Sequence, residues 1–226
     1  MIVNEFKIQD LNLHYFVGIN QIKLSLNKII DTNKINKKEE ILNQFFNIIY
    51  EIQDRYENSM IQFIKDKYLL NKEHIFTACY YSEKAFLQNN TISNKKNIEV
   101  LVYLATKRQI NKSIESFGIE FSDLIKNKLT FCIISPINNL DSINTTLLSA
   151  LSAEEEEITL NLQSNSKINE IKRFFKISNN QIDCALNSYG IVPRNSELNL
   201  KYLALVVYDL ICEKMAILYV ERAKKP

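Results

Sequence analysis

Thr106-Lys107-Arg108-Gln109, followed by Lys112, is the place in the chain where residue types and spacing suggest chemistry, and that chemistry is the holding of an anion. Thr-x-x-Gln is the pattern of a capping box, in which the hydroxyl accepts from the Gln109 amide and the glutamine side chain reaches back to the cap. The tetrapeptide therefore predicts a helix over 107–117. That helix presents Ile110, Ser113, Ile114 and Phe117 toward a sheet at i, i+3, i+4 and i+7, and Gly118-Ile119 suits a Schellman stop. Cations in its first turns oppose the helix dipole by roughly 0.3–1 kcal/mol per exposed charge. Two readings follow: a solvated basic cluster, or a phosphate held jointly by helix-end amides and the side chains of Lys107, Arg108 and Lys112. Gln109 either caps the helix or joins that contact.

Catalysis has little to work with. Gly18, Gly118 and Gly190 are the three glycines and lie far apart, so neither a phosphate-cradling loop nor a dinucleotide fingerprint can be assembled. His14 and His74 have no metal spacing and no G-x-S-x-G elbow occurs, so each histidine reads as structural. Cys79, Cys132, Cys184 and Cys212 lack C-x-x-C spacing and sit in apolar segments, which suits buried thiols in a reducing compartment. Carboxylates lie mostly on polar helix faces, where sequence alone pairs no two of them for acid/base work. The expectation is a protein with no enzymatic activity, cofactor or metal, acting through binding surfaces.

The charge balance, 28 basic against 26 acidic residues for a net of +2, does not announce a nucleic-acid protein, although local clustering still creates basic patches. With 46% hydrophobic content over 226 residues, a substantial core is expected, in a single domain spanning residues 1–226. MIVNEFKIQD lacks the basic and apolar regions of a secretory leader. The most apolar segment is interrupted by Lys201, Asp209, Glu213 and Lys214, so no membrane span is expected and the chain reads as soluble and cytoplasmic.

The elements that must position the basic helix follow from periodicity. A strand is expected at 13–19, then a helix over 20–31 carrying Ile22, Leu26, Ile29 and Ile30. Ile41, Phe45, Ile48, Ile49 and Ile52 form the stripe of a surface helix over 38–58, and 60–65 reads as a strand. Asn71 can cap a helix holding His74 to Leu87. Ile98 to Ala105 is nearly continuous in β-branched and aliphatic residues and predicts a central strand, as does Leu129 to Ser135. With the 107–117 helix between them, these form a βαβ unit, so the sheet should contain parallel pairs. A short helix near 142–151, a solvated acidic turn at Glu154 to Glu157, an edge strand at 158–162, a helix at 168–175 and a last helix from about Glu197 to Arg222 complete the chain. The expected fold class is α/β: a mixed β-sheet flanked by α-helices, a single domain with an extended amino-terminal helical region.

Two helices carry more apolar surface than one neighbour can cover. Ala78, Cys79, Ser82 and Ala85 make a small-residue stripe, while Phe76, Tyr80, Tyr81 and Leu87 point elsewhere. In the last helix, Leu200, Leu203, Ala204, Val207, Ile211, Met215 and Leu218 form one seam, leaving Leu205, Val206, Tyr208, Leu210, Ile217 and Tyr219. The surplus is either covered by the amino-terminal helices or left as a patch for a partner.

The stretch from His74 to Ile119 resembles a known family. A histidine opens a helix with alanine four residues on (His74, Ala78); a polar loop carries Ile92-Ser93; Glu99 leads an apolar run to Ala105; Arg108-Gln109-Ile110 leads to Gly118-Ile119. IQFIKDKYLL upstream, EITLN and FFKI downstream, and the long last helix extend the match in outline. The pattern is similar to the kinase-binding accessory subunits of the KEOPS/EKC complex, the TPRKB-like family, in its archaeal type. The departures are Ser113, where alanine is typical, and a longer helical region around residues 32–58. The resemblance implies a non-catalytic subunit that binds and stimulates the atypical KEOPS kinase/ATPase and meets the other KEOPS subunits indirectly. It also implies that the subunit holds the tRNA 3′ CCA tail during threonylcarbamoyladenosine (t6A) modification. On this view Lys107, Arg108, Gln109 and Lys112, with Lys84, Lys95 and Lys96, meet tRNA. Phe76, Tyr80, Tyr81, Leu87, Leu205, Tyr208, Ile217 and Tyr219 meet the kinase. A partner-binding scaffold with no RNA role is the alternative.

Overall fold

The computed structural model describes residues 1–24, 38–126, 128–160, 164–191 and 200–223. In chain order these form β1 (Ile2–Ile8), β2 (Leu13–Lys23), α1 (Lys38–Arg55), β3 (Met60–Ile64), α2 (Lys72–Leu87), α3 (Lys96–Ala105) and α4 (Ile110–Phe117). There follow α5 (Phe121–Ile125), β4 (Lys128–Ser135), α6 (Leu140–Ala150), β5 (Glu154–Glu156), α7 (Asn165–Phe175), α8 (Asn179–Ser188) and α9 (Leu200–Ala223). The chain divides into two compact units, each built from two separated segments: Met1–Lys65 with Gly118–Ile158, and Asp66–Phe117 with Thr159–Pro226.

The first unit holds the sheet, in the order β1-β2-β4-β3, with β5 also paired to β2. Every pairing among the described residues is antiparallel, so the expected parallel pairs are not formed. β4 has Leu129 to Ser135 buried without a break, as a strand covered on both faces requires. Phe131 meets Phe63 of β3 at 5.1 Å, and Phe63 meets Phe45 of α1 edge-on at 5.0 Å, an aromatic column joining helix to sheet. Phe45, Ile49 and Ile52 are the buried positions of α1, at i, i+4 and i+7 of the predicted stripe. Each is worth about 1.5–3 kcal/mol of burial.

Two expectations around β2 are corrected. Residues 20–23 continue the strand instead of opening a helix, while Leu26, Ile29 and Ile30 lie outside the described residues. β2 thus outruns β1, which pairs only as far as Ile19, and the acidic run fills the vacated edge: Gln21, Ile22 and Lys23 pair with Glu156, Glu155 and Glu154. Glu154–Glu156 is therefore a strand and not a turn, although Glu154 and Glu155 stay exposed as expected; of the strand expected at 158–162, residues 158–160 are irregular and the rest lies outside the described residues. The reason is a polar network. The Glu155 carboxylate accepts from Asn144 at 2.6 Å and Asn20 at 2.9 Å and lies 3.7 Å from the Met1 amino group, and these, the Asn144 hydrogen bond foremost, hold its pKa below the usual carboxylate range.

The described elements of the second unit are helical. Asn71 caps α2, its side-chain carbonyl accepting from the His74 amide at 2.9 Å. Ile98 to Ala105, expected as a strand, is helical, and Glu99 through Ala105 are all buried. α3 is enclosed by α2, α4 and α9, and a helix surrounded by neighbours needs the same unbroken apolar run as a two-sided strand, so periodicity alone cannot separate them. The Glu99 carboxylate ties the preceding loop down by accepting from the amides of Ile92 at 3.1 Å and Ser93 at 2.7 Å.

Candidate functional site

The segment from Thr106 to Gln109 is where sequence and structure part most usefully. Thr106 does not open a helix; it closes α3 in the left-handed region, at φ 51° and ψ 37°. The Thr106 amide donates to the Tyr103 carbonyl and the Lys107 amide to that of Val102, a Schellman close at threonine instead of at Gly118. Among the described glycines only Gly190 has a positive φ. α4 begins at Ile110, with the Gln109 carbonyl accepting from the Ser113 amide at 3.1 Å. Lys107 and Arg108 therefore occupy a turn between two helices, and the conflict with the helix dipole falls on Lys112 alone. Ser113 and Phe117 face inward as expected, whereas Ile114 is exposed.

This turn forms one wall of a cleft of about 400 Å³. The second wall is the end of α7, Phe174 to Lys176, and the third is α9 through Lys214, Ile217, Leu218 and Glu221. Lys176 also adopts the left-handed region, at φ 53° and ψ 48°, with the Ile177 amide donating to the Lys172 carbonyl. Two helix ends, each turned sharply aside at a non-glycine residue, thus border the opening. His74 braces the first wall from below. Its Nε2–H donates to the Leu104 carbonyl at 3.2 Å, its Nδ1 accepts from the Leu70 amide, and burial lowers its pKa to about 4, so it is a neutral structural tie.

The lining is aromatic and cationic. The Lys107 ammonium lies 3.8 Å from the Phe174 ring centroid, and the ring stacks on Tyr68 at 4.1 Å with planes 14° apart. Burial, then repulsion from Lys112, and also that from Lys176, lower the Lys107 pKa. Arg108 donates to the Glu221 carboxylate at 2.9 Å; among the lining residues Glu221 is the single acid beside four cations. Lys176 also borders a second basic hollow at the junction of α7 and α8, with Lys172 and Arg173.

The predicted tRNA residues divide into two groups. Lys107 and Arg108 line the cleft, with Gln109 and Lys112 exposed next to them on the turn and on α4. Lys96 opens α3, ten residues and about 15 Å of helix from the turn at its far end. There Lys96 pairs with Glu83 at 3.0 Å, Lys95 is the exposed residue before the helix, and Lys84 lies over the Tyr219 ring at 4.7 Å. The cleft does not include these three. Phe174, Lys176, Lys214 and Glu221 were not legible as site residues, since nothing local in FFKI or in the last helix distinguishes them from ordinary amphipathic positions.

The predicted partner residues divide as well. Leu87, Leu205 and Ile217 are exposed, with Tyr202 exposed beside Leu205 near the start of α9 and Val220 exposed near its end. Phe76, Tyr80 and Tyr81 are half-buried, and Tyr208 spends its hydroxyl on Thr77 Oγ1 at 2.8 Å. Tyr219 is only 8% exposed, its hydroxyl donating to the Gln88 side chain, and Val206 and Leu210 are likewise inside. Packing of α9 against α2, α3, α7 and α8 takes up that part of the surplus.

Among the described residues no helix is long and apolar enough to cross a membrane. No group of three His, Cys, Asp or Glu among them could hold a metal ion. Comparison with curated proteins finds no match. A family model described as Kinase binding protein CGI-121 matches residues 32–217, a span that begins beyond β1 and β2 and takes in the cleft turn, α7 and most of α9. Matched over some four-fifths of its length, the chain belongs to the kinase binding protein CGI-121 family.

Proposed function

We propose that this protein is the non-catalytic subunit of a KEOPS complex that binds and stimulates the atypical KEOPS kinase/ATPase and holds the tRNA 3′ CCA tail during t6A modification. Family membership supports the kinase arm, and exposed Tyr202 and Leu205, one turn apart near the start of α9, are apolar groups suited to it. The observation that carries the RNA arm is the cleft: four cations together with the rings of Phe174 and Phe175, in a space sized for a small ligand. Single-stranded tails are held by charge along the backbone and stacking of bases, and the cleft lining offers cations and aromatic rings suited to each.

Co-purification with the cognate kinase tests the first arm, and absence of a complex at micromolar concentrations refutes it. Comparison of tRNA with and without its CCA end tests the second; equal affinity refutes it. The Arg108–Glu221 pair favours a second reading, a partner-binding scaffold without an RNA role, because that bridge neutralises one of the cations. Intact kinase binding with no tRNA affinity would establish that reading.

A further inference from the structure

Phe174 has both ring faces taken. Tyr68 stacks behind it, and Phe117 and Phe175 meet it in T-shaped contacts at 5.8 Å and 4.8 Å. A ring braced by three others cannot turn away, so its remaining face is a fixed, flat, apolar surface bordering the cleft. What covers that face is the Lys107 ammonium, and the cover is weakly held. A cation over a ring at a partly exposed site is worth about 2- to 5-fold in an equilibrium. A nucleobase on the same kind of surface is worth roughly 5- to 150-fold. Burial acts against the protonated form of Lys107, and so does repulsion from Lys112 and Lys176, partly offset by Glu115. An arriving anion relieves that repulsion.

Resting on the RNA-tail reading above, we infer that Phe174 is the platform on which the base of the terminal RNA nucleotide stacks, and that the base displaces Lys107, whose ammonium moves from the ring to the adjoining phosphate. The exchange replaces one contact on the ring with a larger one and gives the freed cation a partner. No covalent step is involved. Because every base has a π-face, this stack selects for an unpaired end and leaves base identity to other contacts. The size of the cleft fits one nucleotide at a time.

The test uses the full chain and three tRNAs: intact, abasic at the 3′ nucleotide with ribose and phosphate kept, and carrying 2-aminopurine at that position. Wild type is expected to bind the abasic tRNA about ten-fold more weakly than the intact one. Phe174→Leu keeps apolar packing against Tyr68 but has no ring, and is expected to bind both with the same, weaker affinity. 2-Aminopurine emission is expected to fall on saturation with wild type and to fall less with Phe174→Leu. Should that variant fold poorly, the wild-type emission change and abasic comparison decide alone. Wild-type binding that ignores loss of the base, or unchanged emission at saturation, overturns the inference while leaving the tail reading standing. If intact tRNA does not bind wild type at all, the tail reading and this inference fall together.

Discussion

Replacing Glu221 by glutamine should tighten tRNA binding, and the size of the gain follows from the geometry. The Arg108–Glu221 bridge spans 2.9 Å, with the side chains 37% and 57% exposed, so it belongs to the class of surface pairs worth about 0–1 kcal/mol. A phosphate that takes Arg108 must first break it. Glu221 also repels a phosphate in the cleft; two unit charges about 7 Å apart in water cost about 0.6 kcal/mol before screening, and less than half of that survives at physiological salt. Together the two effects amount to about 1 kcal/mol, or about five-fold in affinity. Fluorescence anisotropy with labelled tRNA at low and at physiological salt measures it, with the gain shrinking as salt rises. Glu213→Gln is the control: Glu213 is exposed on the same helix but does not line the cleft, and removes the same charge. A five-fold gain in both variants means only a change in net charge, and no gain in Glu221→Gln means that Arg108 is not where the phosphate sits. Either result refutes the reasoning.

Further expectations concern stability and docking. His74 is neutral in the folded protein, with a pKa near 4 against 6.5 when free, so the unfolded chain binds more protons between those values; the stability from its burial is complete above pH 6.5 and is lost as pH falls toward 4, up to about 3 kcal/mol. Urea unfolding across that window should show a steeper loss in wild type than in His74→Gln; parallel slopes would show that His74 does not carry it. Phe63→Ala interrupts the column from Phe45 to Phe131 and should cost about 3–5 kcal/mol by the same measurement. Leu205→Asp places a charge beside exposed Tyr202 and should weaken kinase co-purification at least about ten-fold while sparing tRNA affinity, since a charge buried unpaired in the complex costs several kcal/mol. Loss of both together would mean general damage.

How much of this was legible in the sequence depended on whether the signal was local. Asn71 as a cap and the stripe of α1 were readable because spacing within one element decides them, whereas in α9 only Val207, Ile211, Met215 and Leu218 of the expected seam are buried, and Val206, Leu210 and Tyr219 join them. Ile98 to Ala105 misled because what makes the run apolar is enclosure by three helices, and enclosure leaves no period. That one misreading generated the parallel sheet and the capping box together. Once α3 is a helix, Thr106 is its last turn, and a Thr-x-x-Gln spacing that presupposes an extended threonine has no cap to make. One of the three walls of the cleft was visible, since Lys107 and Arg108 are neighbours in the chain. Phe174, Lys176, Lys214 and Glu221 are brought to them only by the packing of α7 and α9, which no local pattern encodes.

The position of β4 bears on how the polypeptide reaches this state during synthesis. β4 lies between β2 and β3, yet it is made long after both, with the whole of α2, α3 and α4 intervening. While those helices leave the ribosome, β2 and β3 each wait with an open edge, and contacts of such long sequence separation form slowly. Truncation anywhere before residue 128 strands two hydrophobic edges in search of a third, so fragments that stop there should need a chaperone or precipitate, whereas those reaching beyond β5 contain every described strand of the sheet.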